Sequence, residues 1–273
     1  MFDTNNIFNT VLIIPILNIL IAVYHVFLAL KVPGALGFSL IALTIIIRLI
    51  LHPLTVKQLK STQKLAHIKP RLDELNKLHK EDKARLQQEQ LKLYQEAGIN
   101  PASGCLPLLL QMPILIGLYN LFFTVLGNGG DTSKIVEGIN KVVYFPFLKI
   151  QSLDLSFFGL NLTSKPNEWQ KIGWGFLLIP VITAALQYLQ TKMMTPPSPA
   201  PALVKKDGEK KGEEDMSTMM QKQMSIMMPL MIGFFAYSFP LGLSLYWNTY
   251  SLFGIIQQQI LNKELEREKT HGK

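Results

Sequence analysis

Five stretches of the chain are apolar over enough consecutive residues to cross a bilayer, and polar or basic segments bound each of them. A hydrocarbon core about 30 Å thick needs roughly 20 helical residues. The pattern predicts membrane-spanning helices over residues 36–56 (LGFSLIALTIIIRLILHPLTV), 101–127, 170–191, 223–240 and 241–261. The last two meet at Phe239-Pro240-Leu241-Gly242, where proline withdraws a backbone donor and glycine permits a sharp reversal, so they form a hairpin with almost no loop. A sixth apolar run, residues 11–30, is ambiguous. It carries Asn18 and His25 seven residues apart on one helical face, with Asn9 and Thr10 nearby. That pattern suits a helix lying in the outer interface, within an N-terminal segment 1–35. The expected architecture is therefore an all-α integral membrane protein of five transmembrane helices.

The polar segments have patterns of their own. In residues 57–100, Leu65, Ile68, Leu72, Leu75 and Leu78 recur at helical spacing, and Leu86, Leu93 and Tyr94 follow the charged turn Lys80-Glu81-Asp82-Lys83. This is an αα-hairpin with coiled-coil-like patterning, closed by the terminator Gly98-Ile99-Asn100-Pro101. It reads equally as a docking arm or as a solvated connector. Residues 128–169 read as an outer loop, 192–222 as a flexible linker whose TPPSPAPALVKKDGEKKGEED stretch cannot bury a core, and 262–273 as a tail. No internal repeat is visible.

Charge orients the helices. Lys and Arg number ten in residues 57–97, six in 192–222 and four in the tail from residue 261. Residues 128–169 hold four, offset by Asp131, Glu137, Asp154 and Glu168. Short loops rich in Lys and Arg stay cytoplasmic, so five crossings leave the N-terminus outside and the C-terminus inside. The net charge of +8 does not indicate sequence-specific nucleic-acid binding, because the basic residues are dispersed between apolar runs. A composition of 48% hydrophobic and 17% charged residues agrees with a membrane protein. The basic n-region and cleavage site of a signal peptide are not seen.

Candidate chemistry is sparse. Cys105 is the single cysteine, which excludes an internal disulfide or a thiolate metal cluster. His52 and His67 have no partner ligands and read as surface or interface histidines. Walker A, GxSxG, HExxH and GxGxxG patterns are absent, so neither an enzyme activity nor a cofactor nor a metal site is expected. No Asp or Glu falls inside the five spans, which argues against proton-driven transport. Lys171 sits at the very edge of its span, and the one cation deep inside a span is Arg48, roughly 12 Å from the cytoplasmic boundary at 1.5 Å per residue. A guanidinium keeps its proton and needs water or partners there. Thr44, one turn away, together with Gln111, Gln187, Gln190, Trp247 and Asn248, could complete a hydrated cavity; snorkelling with scattered interhelical hydrogen bonds is the plainer alternative. Seven of the eleven methionines fall between 216 and 231, and Met224, Met227 and Met231 share one face. That face is either an adaptable binding surface or ordinary packing.

Three segments resemble the signature stretches of the YidC/Oxa/Alb membrane protein insertases: IIIRLILHPLTVKQLKS, NPASGCLPLLLQMPILIGLYNLF and FPLGLSLYWNTYSLFGIIQQQ. The match is to the short bacterial form, without the large periplasmic domain. The resemblance implies a groove open to cytoplasm and lipid but closed outside, with Arg48 as its buried charge and Thr44 and Trp247 in its lining. It also implies that the run from about residue 12 to 30 is a peripheral outer helix. The expected function is insertion of nascent membrane proteins into the bacterial cytoplasmic (inner) membrane, with the lipid bilayer as medium. The ribosome, the signal recognition particle pathway and the Sec translocon are candidate partners. The exit route expected for a substrate lies between the second and fourth spans, along Leu110, Ile114, Leu118, Met224, Met227 and Met231. A small-solute channel or uniporter and a structural assembly factor are the alternatives.

Overall fold

The computed structural model describes residues 5–79, 82–98, 106–127, 132–194 and 216–271. Cys105, Lys80 and Glu81 of the charged turn, Ile99 to Pro101 of the terminator and the Pro-rich stretch of the linker lie outside the described residues. The fold is helical, with one two-stranded ribbon among the described residues. A wide π turn over Asn9–Ile13 leads into α1 (Ile14–Ala29), which a five-residue connection joins to α2 (Ala35–Ile50). The chain then forms α3 (His52–Leu78), α4 (Lys83–Glu96) and α5 (Leu106–Gly127). After α6 (Ser133–Val142), the ribbon β1 (Ser156–Phe157) and β2 (Leu160–Asn161) and the single turn α7 (Trp169–Ile172) come the long helices α8 (Leu178–Met194), α9 (Met216–Ser238) and α10 (Leu241–His271).

The element boundaries differ from the sequence expectation in four places, the first two with a local cause. The helix predicted over 36–56 breaks at Leu51, and Ala35–Ile50 meets His52–Gln58 at 57°. Pro53 in the first turn of α3 has no N–H to bond back into α2. The helix predicted from residue 170 begins instead at Trp174, after Gly173 at φ +109°, a backbone region that favours glycine. Residues 216–222 belong to α9, not to the linker, and α10 runs unbroken to His271 through most of the expected tail. Among the described residues, Asn9–Ala29 and Trp174–Met193 are long and apolar enough to cross a membrane, and the bent pair at Leu51 makes a third if taken as one span. Ser225–Ser238 is apolar but shorter.

Residues 132–164, expected as a loop, fold into a cap over one end of the bundle. α6 buries Ile135, Ile139 and Val142 at helical spacing, and Leu148, Ile150, Leu153 and Leu162 join the same core. The cap ties down three helices. On α1, Asn18 donates to the Val142 carbonyl (3.1 Å) and accepts from the Tyr144 N–H (2.7 Å), while the Tyr24 hydroxyl accepts from the Asp154 N–H (3.1 Å). On α2, the Phe157 ring fills the space a side chain at Gly37 would need, with Cδ2 only 2.1 Å from an ideal Cβ there. On α10, the Leu241 and Gly242 N–H groups, which no helical carbonyl can take, donate to Ser164 and Leu162 (both 2.9 Å). α2 and α10 both start at the cap and run side by side away from it. The α3–α4 hairpin leaves from the opposite end of α2. It is capped by Asp82, whose carboxylate accepts from the Arg85 N–H, and pinned by a Gln90 to Asn76 hydrogen bond of 2.8 Å.

Candidate functional site

Arg48 lies where α2, α8 and α10 converge, in the last turn of α2 at the end distant from the cap. Its side chain is only 7% exposed. Nη2 donates to the Tyr250 carbonyl at 2.9 Å and Nη1 to Gln257 Oε1 at 3.5 Å, and the guanidinium carbon stands 3.6 Å above the Tyr250 ring centre. The ring face, negative in its quadrupole, adds a cation–π attraction. Gly254 makes this seat. A Cβ there would come within 2.5 Å of Arg48 Nη2 and 2.6 Å of Gln190 Nε2, so the missing side chain admits both polar ends against the α10 backbone.

The surrounding polar groups follow helical spacing. Ser244, Asn248, Ser251 and Gln258 fall along one side of α10, and Thr183, Gln187 and Gln190 along one side of α8. The Trp247 indole donates to Gln187 Oε1 (2.9 Å), whose amide in turn donates to Thr191 (3.2 Å). Several other buried atoms find no partner among the described residues: Arg48 Nε, Gln190 Oε1, Ser244 Oγ, Asn248 Oδ1 and Ser251 Oγ. A buried polar atom left unpaired costs about 1–3 kcal/mol, so these positions along α2, α8 and α10 favour water or a polar segment of another chain.

The expected residues divide into three groups. Arg48, Gln187, Gln190 and Trp247 are brought to one junction, with Asn248 on the same helix. Thr44 is also buried, but its hydroxyl is spent on the Leu40 carbonyl at 2.6 Å. The side chains of Gln111, Leu110 and Met224 lie outside the described residues. Of the expected exit residues, Met227 and Met231 are outward on α9, 56% and 43% exposed. Ile114 and Leu118 are buried in the core that α5 shares with α1, so the outward apolar residues of α5 are instead Met112, Ile116 and Phe123. α5 and α9 approach through an aromatic row in which Phe123 stacks on Tyr119, Tyr119 meets Phe239, and Phe239 stacks on Phe235.

Tyr250, Gly254, Gln257 and His52 were not anticipated as parts of the site. The signal for Gln257 was present: three consecutive glutamines at 257–259 cannot all face lipid, and at least one must turn inward. His52, expected at a surface or interface, is exposed on one side and bonds the Gln257 amide through Nδ1 on the other. Among the described residues, no cluster of His, Cys, Asp and Glu could hold a metal ion.

The profile of the 60Kd inner membrane protein family matches residues 27–269. Inner membrane ALBINO3-like protein 2, chloroplastic, of Chlamydomonas reinhardtii is 33% identical over 85% of this chain and 50% of its own length. The protein named membrane protein insertase YidC of Oceanobacillus iheyensis is 28% identical over 98% of this chain and 88% of its own. Inner membrane protein ALBINO3, chloroplastic, of Arabidopsis thaliana is 30% identical over 86% of this chain. The chain spans about half the length of the two chloroplastic relatives. With a family profile that covers most of its residues and relatives of this kind on both sides, the chain belongs to the YidC/Oxa/Alb family.

Proposed function

We propose that this chain is a membrane protein insertase of the bacterial inner membrane, acting without catalytic chemistry on nascent transmembrane segments and their short hydrophilic tails. The observation that carries the proposal is the seat of Arg48: a buried cation at a three-helix junction, with its own Nε and the neighbouring Gln190 Oε1 unpartnered and further unpartnered polar atoms along α10. Carrying polar backbone and acidic side chains through about 30 Å of hydrocarbon is the barrier to insertion. A hydrated groove around Arg48 shortens the dry path. A substrate carboxylate pairs there with the donors of Arg48 that the Tyr250 carbonyl and the Gln257 amide leave free, Nε among them, and a charge-assisted bond is roughly twice as strong as a neutral one. Low dielectric screening strengthens the pairing further. The apolar part of the substrate then leaves between α5 and α9, past Met227 and Met231, driven by burial in lipid at roughly 25 cal/mol per Å².

In this proposal the five spans are α2, α5, α8, α9 and the first part of α10, with the N-terminus outside and the hairpin and C-terminus in the cytoplasm. The cap then closes the outer end. α1 lies in the outer interface, which its hydrogen bonds to the cap at Asn18, Tyr24 and His25 support: the seven residues from Asn18 to His25 span about 10 Å of helix held along the cap. Lipid and nascent chains are the partners, with the ribosome, the signal recognition particle pathway and the Sec translocon as further ones.

The test is insertion into proteoliposomes of a small two-helix substrate whose translocated tail is acidic or neutral. Arg48→Ala lowers insertion of the acidic form, and Arg48→Lys restores part of it. Full activity of the alanine variant on acidic tails would remove Arg48 from the mechanism.

A further inference from the structure

We propose that Gln257 is a positioning residue for Arg48, and that His52, the first residue of the cytoplasmic hairpin, fixes the orientation of the Gln257 amide. The proposal rests on the reading of Arg48 as the substrate-binding cation. The logic is one of donors and acceptors. A guanidinium carries five N–H donors and accepts nothing, so only the oxygen of Gln257 can face Arg48 Nη1, and it stands 3.5 Å away. That choice turns the amide nitrogen outward, where it meets Nδ1 of His52. An amide N–H needs an acceptor, so the imidazole carries its proton on Nε2 and presents the Nδ1 lone pair inward. The three side chains form a directional chain from His52 through Gln257 to Arg48.

The fold supplies this chain through the break at Leu51. A straight continuation of α2 would carry His52 along the axis of that helix. The 57° bend instead starts α3 with His52 against α10 at the level of Gln257. The second bond, which Arg48 Nη2 donates to the Tyr250 carbonyl, ends on the α10 backbone, so its acceptor is fixed. Gln257 is the adjustable member, and its far side is held by an element outside the bundle. The setting of the hairpin at its root therefore determines how firmly Arg48 is held in place to meet a substrate carboxylate.

The experiment measures the ratio of acidic-tail to neutral-tail insertion in proteoliposomes, since a merely structural defect lowers both and leaves the ratio in place. Gln257→Leu removes the acceptor and should lower the ratio about threefold to tenfold, as for loss of one hydrogen bond of ordinary strength, which suits a contact as long as 3.5 Å. His52→Phe removes the lone pair and should lower it similarly. The double variant should fall no further than Gln257→Leu alone, because the two act through one bond. His52→Asn carries its oxygen near the position of Nδ1 and should restore the ratio. Should the leucine variant not fold, Gln257→Glu keeps the volume; its carboxylate occupies Arg48 and also lowers the ratio. If Arg48→Ala lowers the ratio while the Gln257 and His52 variants keep it, the positioning role is overturned and the proposed function stands. If Arg48→Ala itself keeps the ratio, the proposed function fails first.

Discussion

Gly254→Ala is the most direct probe of the seat, because it adds one carbon at a place where the geometry leaves no room. The new Cβ would stand 2.5 Å from Arg48 Nη2, 2.6 Å from Gln190 Nε2 and 3.2 Å from Arg48 Cζ. Relief requires the guanidinium to retreat by roughly 1 Å to reach ordinary non-bonded contact. The atoms in the way are the ends of flexible side chains, so the helices keep their packing and the side chains move. The 2.9 Å bond from Nη2 to the Tyr250 carbonyl then stretches past the hydrogen-bond limit. Loss of a hydrogen bond to a charged group costs about 1.5–3 kcal/mol. Alanine in a helix interior recovers about 1 kcal/mol relative to glycine. The net is a destabilisation of about 0.5–2 kcal/mol, small enough for the variant to fold, together with a displaced cation. Thermal unfolding in detergent reads the first quantity and acidic-tail insertion in proteoliposomes the second, with roughly a tenfold fall expected for the latter. A variant more stable than the parent with undiminished insertion would show that Gly254 is not what admits Arg48.

Three further outcomes are expected. Single cysteines in a Cys105→Ser background should react from outside at Lys165 and only after permeabilisation at Lys92; outside labelling of Lys92 inverts the proposed topology. Photo-crosslinkers at Met227, Met231 and Ile116 should capture a nascent helix and those at Val181 should not, and Met227→Asp should be far more costly than Met227→Leu; capture equally strong at all four positions makes this face ordinary lipid contact. Asn18→Ala strips the Val142 carbonyl and the Tyr144 N–H of their partner and should destabilise the fold by about 2–4 kcal/mol, read by thermal unfolding, whereas a loss under 1 kcal/mol would mean that the cap is held elsewhere.

Much of the long-helix pattern could be read from sequence because apolar runs of membrane length are hard to produce for any other reason. Arg48 stood out against such a run, and the facing of Gln187 and Gln190 followed from helical spacing alone. The cap could not be read in this way. Its buried residues Leu148, Ile150, Leu153 and Leu162 sit on a single 3-10 turn and on irregular stretches, and their spacing repeats with neither the helical nor the strand period. The seat was half legible for a different reason. A polar residue in an apolar helix announces itself, but Gly254 acts through the atoms it lacks, and the contact of His52 with Gln257 depends on a bend angle that proline permits without fixing. Ile114 and Leu118 were assigned to an outward face because helical periodicity marks a face without saying which neighbour it meets; α1 covers it.

The sequence distance across the cap contacts carries a consequence for how the molecule is made. Asn18 and Tyr24 bond to groups 124 and 130 residues further along the chain, and Arg48 to groups 202 and 209 residues further along. At a synthesis rate of about 5–20 residues per second, α1 waits roughly 6–26 s for the cap and Arg48 roughly 10–42 s for α10. During that interval a lone guanidinium stands in a half-built bundle with none of these partners yet synthesised. In the proposed topology, nascent copies of this protein therefore present, for roughly 10–42 s, a charged helix in the membrane before the groups that seat its charge have been made.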